Sequence, residues 1–363
     1  MSVPAISASN FNVSFSVMSQ LRPFAGIGSG NVGVILPGTS ASLTALETQD
    51  LTVSLERAGL SPPQFTVQSA RGSDAIELND AQTAITMGAS VLIVDPLSST
   101  VGASIEKYAM AHAVKVIDYD RLTLGGSRQY YVGFNGVKAG TLLGQGLASC
   151  IRAWHVKNPN VLVTYGNPAD NNAKLYADGY NAVLDPLFKS GTYTLAGRPA
   201  GTWNPPAALS EFRRQLTADP GINALLAPSD ENASPVISYL RSRGVGPRTF
   251  PVTGQNATPA GLRAVLAGYQ CGTVYRPVYK EAQAATALAI YLRAGIAVPA
   301  SLTRGSTTMD TASHTAVPSV LLPPTWVTTA NMNSTVIADK FVSAAQLCTG
   351  RYLAACKAAG ISG

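Results

Sequence analysis

Asp120 and Arg121 close the run Val114-Lys-Val-Ile-Asp-Tyr-Asp-Arg121, and a carboxylate beside a guanidinium is the pairing in this sequence best suited to gripping hydroxyl groups. The carboxylate accepts from two hydroxyls and the guanidinium donates through a planar fork, which suits a polyhydroxylated solute. Val114, Val116, Ile117 and Tyr119 form the short apolar run of a strand buried on both faces, so the pair stands at a strand's carboxyl end. In open parallel sheets, small ligands bind beyond those ends. The plainer reading is a solvated Asp-Arg pair that merely closes a strand.

Polar loops recur after other strand-like runs. Asp170-Asn171-Asn172 follows Val161–Tyr165, Ser229-Asp230-Glu231-Asn232 follows Ala224–Ala227, Gln255-Asn256 follows Phe250–Thr253, and Arg276 ends Gly272–Tyr275. Each alone reads as a helix N-cap or a turn. Their recurrence at successive strand ends points to a shared ligand crevice. Trp203, in Gly201-Thr-Trp-Asn-Pro-Pro206, can stack on the apolar face of a sugar ring or pack on Pro205 and Pro206.

The elements that must position these groups alternate along the chain. Strands are expected at Asn31–Leu36, Phe65–Gln68, Val91–Asp95, the Asp120 run and Tyr130–Phe134, with helices over Leu43–Ala58, Asp80–Met87 and Gly102–Ala113 between them. The pattern then restarts: helices Val137–Trp154, Asn172–Leu184, Pro206–Leu216 and Asn232–Arg243 separate strands Val161–Tyr165, Tyr193–Ala196, Ala224–Ala227 and Phe250–Thr253. Helix Pro259–Ala267, strand Gly272–Tyr275 and helix Tyr279–Ala294 follow. Repeated βα units predict two mostly parallel α/β sheets. No Pro- or Ser-rich linker divides them, so several short crossovers join two lobes with a cleft between. Ser2–Gly30 reads as an irregular, flexible lead-in, because its glycines precede a strand and fail as a dinucleotide fingerprint.

Composition excludes several classes. With 363 residues, 46% hydrophobic and 13% charged, the chain can fill two cores. Its longest apolar runs are far shorter than the roughly 20 residues that span a bilayer. The net charge of +6 comes from scattered Lys and Arg, with no basic cluster and no helix-turn-helix pattern near the start, so a nucleic-acid partner is not expected. Met1–Phe15 lacks a basic region followed by an apolar one, so either the chain stays inside the cell or an export signal is missing from this sequence. Four cysteines without metal-ligand spacing fit two disulfides in an oxidising compartment better than a zinc site, buried free thiols being the alternative. Cys348 and Cys356 can staple a terminal hairpin, which leaves Cys150 and Cys271 for each other if all are paired.

From about Gly30 to Gly360 the chain resembles the type I periplasmic-binding-protein-like sugar receptors of ABC transporters, and among them the D-xylose-binding proteins. The motifs that carry the resemblance are Val116-Ile-Asp-Tyr-Asp-Arg121, Pro168-Ala-Asp-Asn-Asn-Ala-Lys174, Gly201-Thr-Trp-Asn-Pro-Pro206, Gly254-Gln-Asn256 and Thr273-Val-Tyr-Arg-Pro277. The tail, Pro318–Leu322 and Gln346-Leu-Cys348 to Cys356-Lys-Ala-Ala-Gly360, resembles a cysteine-bearing branch of that family. The resemblance implies two Rossmann-like lobes linked by three crossovers. The expected division is 31–134 with 256–300, then 135–255 with 301–345, a lead-in over 1–30 and a tail over 346–363. It implies an extracytoplasmic monomer that closes on one sugar or polyol and docks on a permease, or serves a chemosensory receptor. No cofactor and no metal are implied.

Carried over residue by residue, Asp120, Arg121, Asn172 and Trp203 match ligand-contacting or cleft positions, and Ser229, Asp230, Asn256 and Arg276 stand at the others. This sequence departs from the family's pattern in several places. Leu43-Thr-Ala-Leu46 lacks the usual Arg and aromatic residue, and Phe134-Asn-Gly136 replaces Phe-Asp-Asn. Ser229 replaces Asn, Asn256 replaces Asp, and Arg276 replaces Lys. Losing a charged donor and a stacking ring costs roughly 1.5–3 kcal/mol per good charged hydrogen bond, so a polyol or modified sugar is expected ahead of xylose. Catalysis is not expected: His112, His155 and His314 are dispersed, and no nucleophile elbow or phosphate loop is present. The one rival is an acid-base pair made of Asp120 and Asp230.

Overall fold

Strands and helices alternate as the periodicity predicts, and the computed structural model describes residues 3–361. In chain order these are α1 (Arg22–Ile27), β1 (Asn31–Leu36), α2 (Ala41–Arg57), β2 (Phe65–Ser69), α3 (Asp74–Thr86), β3 (Ala89–Val94), α4 (Ser99–Ala111), β4 (Lys115–Tyr119) and β5 (Tyr130–Phe134). Then come α5 (Gly136–Ala153), β6 (Asn160–Val163), α6 (Asn171–Lys189), β7 (Thr194–Gly197), α7 (Pro205–Ala218), β8 (Ala224–Leu226) and α8 (Asp230–Ser242). The chain continues with α9 (Pro259–Leu266), β9 (Thr273–Tyr275), α10 (Val278–Arg293), β10 (Thr307–Asp310), β11 (Thr315–Leu322) and β12 (Thr325–Val327). Helices start where a short polar side chain accepts from the first turn, as Ser73, Ser98, Asn135, Asn204 and Thr258 do. Ser73 in that role starts α3 at Asp74, six residues ahead of the expected Asp80.

Two compact units result. The first holds the described residues up to Phe134, with Ala169–Asn171 and Val278–Leu322; the second holds Asn135–Pro168, Asn172–Pro277 and the described residues from Pro323 onward. This corrects the expected division at two places. Residues 256–277 belong to the second unit, because β9 pairs with β12 and Val274 bridges Gln255. Residues 301–322 belong to the first, because β11 runs parallel to β5 with Ser319–Leu322 beside Tyr131–Phe134.

In the first unit a seven-stranded sheet has the order β10-β11-β5-β4-β3-β1-β2, parallel except at β10. Side chains alternate between two cores. Val91 and Ile93 of β3 face one, with Val32, Val34 and Leu36, while Leu92 and Val94 face the other, with Ile35. The first core is filled by α10, which is buried nearly all round and is rich in alanine because α2 and the sheet both press on it. The lead-in is not flexible: Ile6, Phe11, Met18, Leu21 and Phe24 are buried in the same core. Arg293 of α10 clamps it, donating from Nη1 to the Ala25 carbonyl (2.6 Å) and from Nε to the Gly30 carbonyl (2.7 Å). Arg128, with a side chain 1% exposed, ties the β10–β11 hairpin to β4 and α4 through Asp310 (2.9 Å), Glu106 (3.3 Å) and Asp118 (3.7 Å).

In the second unit β7-β6-β8 form a parallel sheet, and the same alternation splits the core. Val161, Val163 and Leu226 face one side, Leu162, Leu225 and Ala227 the other. The expected strand at Phe250–Thr253 is reduced to one bridge between Leu225 and Val252, since Pro251 has no N–H to donate to a ladder. Cys150 is bonded to Cys271, and Cys348 to Cys356. Among the described residues no helix is long and apolar enough to cross a membrane.

If residues 3–30 are core, Phe24→Ala costs about 3–5 kcal/mol in denaturant unfolding. A loss below about 1 kcal/mol would restore the picture of a loose leader.

Candidate functional site

In the first unit, β3 and β4 end side by side, and each delivers a carboxylate. Val94 pairs with Asp118, so Asp95 and Asp120 follow neighbouring strand ends. Asp120 leaves its strand at φ +57°, a left-handed conformation that aspartate tolerates better than most residues. Its N–H donates to the Val132 carbonyl (2.9 Å), and the Tyr131 hydroxyl donates to its carbonyl (2.9 Å), which fixes the turn. Arg121 then reaches back across the strand ends. It donates from Nη1 to Asp95 Oδ1 (2.6 Å) and from Nε to Asp170 Oδ2 (3.0 Å), so one guanidinium joins β3, β4 and the segment Ala169–Asn171. Carboxylate oxygens of Glu47, Asp95 and Asp120 lie within 4.8 Å of one another, all three residues buried.

Burial pushes the Asp95 carboxyl up to about 8; the Arg121 charge pulls it down, and Asp120 and Asp170 push it further up. The Arg121 guanidinium, held by Asp95, Asp170 and Asp120, is displaced well above its already high range and stays charged. Behind this set, Glu77 of α3 is buried and accepts from the Leu97 N–H with both oxygens (3.3 and 3.1 Å). Burial pushes Glu77 up to about 8, with Asp95 and Asp74 adding to the rise and Arg121 and the Leu97 N–H opposing it.

The second unit gathers another set. Asn256, at φ +95°, donates from Nδ2 to Glu231 Oε2 (2.9 Å) and accepts at Oδ1 from Arg276 Nη2 (3.2 Å). Its amide is thereby held at both ends. Arg276 is 6% exposed and directly follows β9. Asn172, in the first turn of α6, is also buried. Trp203 is half-buried and lies so close to Gly166 that a Cβ there would come within 2.1 Å of its ring, so the rim tryptophan packs on backbone at Gly166. Asn232 of α8 holds this loop by donating from Nδ2 to the Thr202 carbonyl (2.8 Å).

Two expected contacts turn inward. Ser229 is the N-cap of α8, its hydroxyl accepting from the Asn232 N–H (3.1 Å). Asp230 is fully buried: Oδ1 accepts from Gln270 Nε2 (2.7 Å), and Oδ2 accepts from the Thr258 N–H (2.8 Å), the Thr258 hydroxyl (3.2 Å) and the Thr273 hydroxyl (3.1 Å). Gly254 and Gly261 press on it so closely that a Cβ at either would stand 2.0–2.2 Å from its oxygens. Burial and the Glu231 charge push Asp230 up to about 7 against these donors. Such a carboxyl is a structural hub, taking four hydrogen bonds from groups of its own unit.

Sequence reasoning named the strand-end pair Asp120-Arg121 and the loop that carries Asp170, but not Asp95 or Glu47. Asp95 carried the same signal, a carboxylate ending an apolar run. Glu231 lay in a quoted loop as a helix-opening residue. Glu47 gave no local signal, because on α2 only the packed structure brings it to the strand ends.

A match to the family described as "periplasmic binding protein domain" covers residues 45–296. The chain is 32% identical over 283 residues to the D-xylose-binding periplasmic protein of Escherichia coli (strain K12), covering 77% of this chain and 82% of that one. It is 26% identical over 335 residues to the multiple sugar-binding periplasmic receptor ChvE of Rhizobium radiobacter, covering 88% and 92%. Among solved structures, a carbohydrate transporter solute-binding protein from Chloroflexus aurantiacus in complex with D-glucose superposes with a TM-score of 0.78 at 25% identity, over 87% of this chain and 97% of that one.

Two outcomes test the geometry. Asp230→Ala strands several buried donors at once and costs about 3 kcal/mol or more in urea unfolding; a near-neutral effect would mean that Asp230 is not the hub. For Glu77 the folded carboxyl titrates above its usual 4.5, so its contribution is full below that value and is lost as pH rises towards about 8. The thermal midpoint therefore falls between about pH 5 and about pH 8, and Glu77→Gln makes the fall shallower. An identical slope in the variant would refute the protonated, buried Glu77.

Proposed function

This chain belongs to the periplasmic binding protein family, and from that membership we propose that it binds a monosaccharide or polyol outside the cytoplasmic membrane and delivers it to an ABC permease. The observation that carries this reading is the Arg121 bridge. Rigid carboxylates and a charged guanidinium stand at the carboxyl ends of β3 and β4, with hydrogen bonds that fix their directions before any ligand arrives. A sugar hydroxyl both donates and accepts, so it can pair with Asp120 or Glu47 and with Arg121 at the same time. Preorganised polar groups lose little entropy on binding. Within the second unit, Asn256, Arg276, Glu231, Asn172 and Trp203 are the candidate ligand groups in this reading.

The ligand we propose is a polyol or a modified sugar, with xylose binding weakly. The Ser229 hydroxyl caps a helix, accepting from the Asn232 N–H. Asp230 is used by the fold. Glu47, on α2, puts a carboxylate close to Asp95 and Asp120, so the first unit gathers three buried carboxyl groups at its strand ends. Such a set favours a solute with many hydroxyl donors. In this reading the protein is a binder and works as a monomer.

A thermal-shift screen with pentoses, hexoses, cyclitols and deoxy sugars is expected to return at least one saturable ligand, since a solute at 100 times its dissociation constant adds about 2.7 kcal/mol. Asp120→Asn then weakens that ligand by roughly ten-fold to a hundred-fold in calorimetry, as befits a lost charged acceptor. An empty screen would remove the sugar reading, and an unchanged affinity would remove Asp120 from the contact set.

A further inference from the structure

The groove between α8 and α9 holds a cavity of about 210 Å³ that belongs to neither set described above. It exists because small residues face each other there. Ser234 and Ser238 line it from α8, at helical spacing from Arg241, and Ala260 and Ala264 line it from α9, beside Arg263. Ile237 and Tyr269 also line it, and beside them the small residues leave space where a core would normally close.

The charge in this cavity is all of one sign. Arg241 and Arg263 both line it, and no lining residue is acidic. Each guanidinium is stacked on a tyrosine: Arg241 lies 4.8 Å from the Tyr269 ring centre and Arg263 lies 5.7 Å from that of Tyr352. Arg351 approaches the same Tyr352 ring at 5.1 Å. Stacking uses the flat face of a guanidinium and leaves its in-plane N–H donors for an oxyanion. Arg263 is steered by one bond from Nη2 to the Gln346 carbonyl, while its Nε has no partner among the described residues. Two like charges lining one cavity repel each other, and an anion between them would relieve that repulsion.

The far wall is built by the tail. Tyr352 sits inside the loop closed by Cys348 and Cys356, so the disulfide fixes the ring on which Arg263 rests. We propose that this cavity is a second ligand site, separate from the sugar contacts, that takes a small oxyanion: the phosphate or carboxylate group of a solute. The disulfide-closed tail then has a role that sugar capture does not require of it.

The test uses the oxidised full chain at fixed ionic strength, titrated with inorganic phosphate or with acetate, chloride being the control, while the thermal midpoint is followed. Saturable stabilisation by phosphate assigns a phosphoryl site and saturation by acetate a carboxylate site; chloride gives neither. Arg241→Gln, at an exposed position, leaves the sugar affinity unchanged and raises the half-saturating concentration about ten-fold or more. A rise that does not saturate, or one with the same midpoint in Arg241→Gln, overturns the site and leaves the sugar reading untouched.

Discussion

One guanidinium organises the carboxyl end of the first unit's sheet. Arg121 touches Asp95 and Asp170, and its neighbours Asp120 and Glu47 add further buried carboxylates. Buried ions are costly to desolvate, and removing one member of such a set strands the others, so the arrangement persists as a whole or not at all. That constraint explains why the segment Ala169–Asn171 keeps company with the first unit although the chain on either side of it belongs to the second. It also explains the rise in the Asp95 carboxyl, since one cation cannot offset burial together with the charges of Asp120 and Asp170. Rigidity here comes from electrostatic obligation more than from packing.

The second unit solves a different problem with a neutral bridge. Asn256 stands between Glu231 and Arg276, its amide nitrogen donating to the carboxylate and its oxygen accepting from the guanidinium. An amide can do both, which a carboxylate cannot. The orientation of the amide follows from its two neighbours, the carboxylate at 231 and the guanidinium at 276. Asp230, next to Glu231 in sequence, points the other way and binds the start of α9 to β9. Adjacent acids thus take opposite roles because the first helical turn turns their side chains to different faces.

The parts legible in sequence were those with local causes. Strand runs with both faces apolar and the short spacing of Cys348 and Cys356 each act over a few residues, and the structure has the corresponding sheets and disulfide, whereas the Cys150–Cys271 pairing followed only from the two cysteines left over. What escaped depended on distant partners. The lead-in reads as loose because its glycines break any pattern, yet Phe24 and Met18 find a core only when α10 arrives some 260 residues later, where Arg293 clamps Ala25 (|i−j| = 268). The β10–β11 hairpin was missed because Pro318 interrupts the β11 run, although the proline still fits on the strand opposite Thr307. At the site, Asp120 and Arg121 announced themselves at a strand end, whereas Glu47 lies mid-helix and gains meaning only from what α2 packs against.

The order of elements along the chain has a consequence for folding. The first unit's sheet lacks its β11 neighbour, and its core lacks α10, until residues 278–322 have been made, so the N-terminal 134 residues carry an exposed β5 edge and an unfilled core. An open edge beside apolar surface is a hazard for wrong pairing. The second unit is bounded by the same interleaving, because β12, which follows β11, completes it by pairing with β9. Contacts this distant in sequence slow folding and make it cooperative, since few of them are rewarded until both ends of the chain are present. The Cys150–Cys271 bond closes a loop of separation 121 within the second unit and lowers the entropy of its unfolded chain, which offsets part of that delay in an oxidising compartment. Disulfide placement is therefore a partial answer to a difficulty that chain order sets: a binding protein whose halves are each stitched together from separate stretches of sequence.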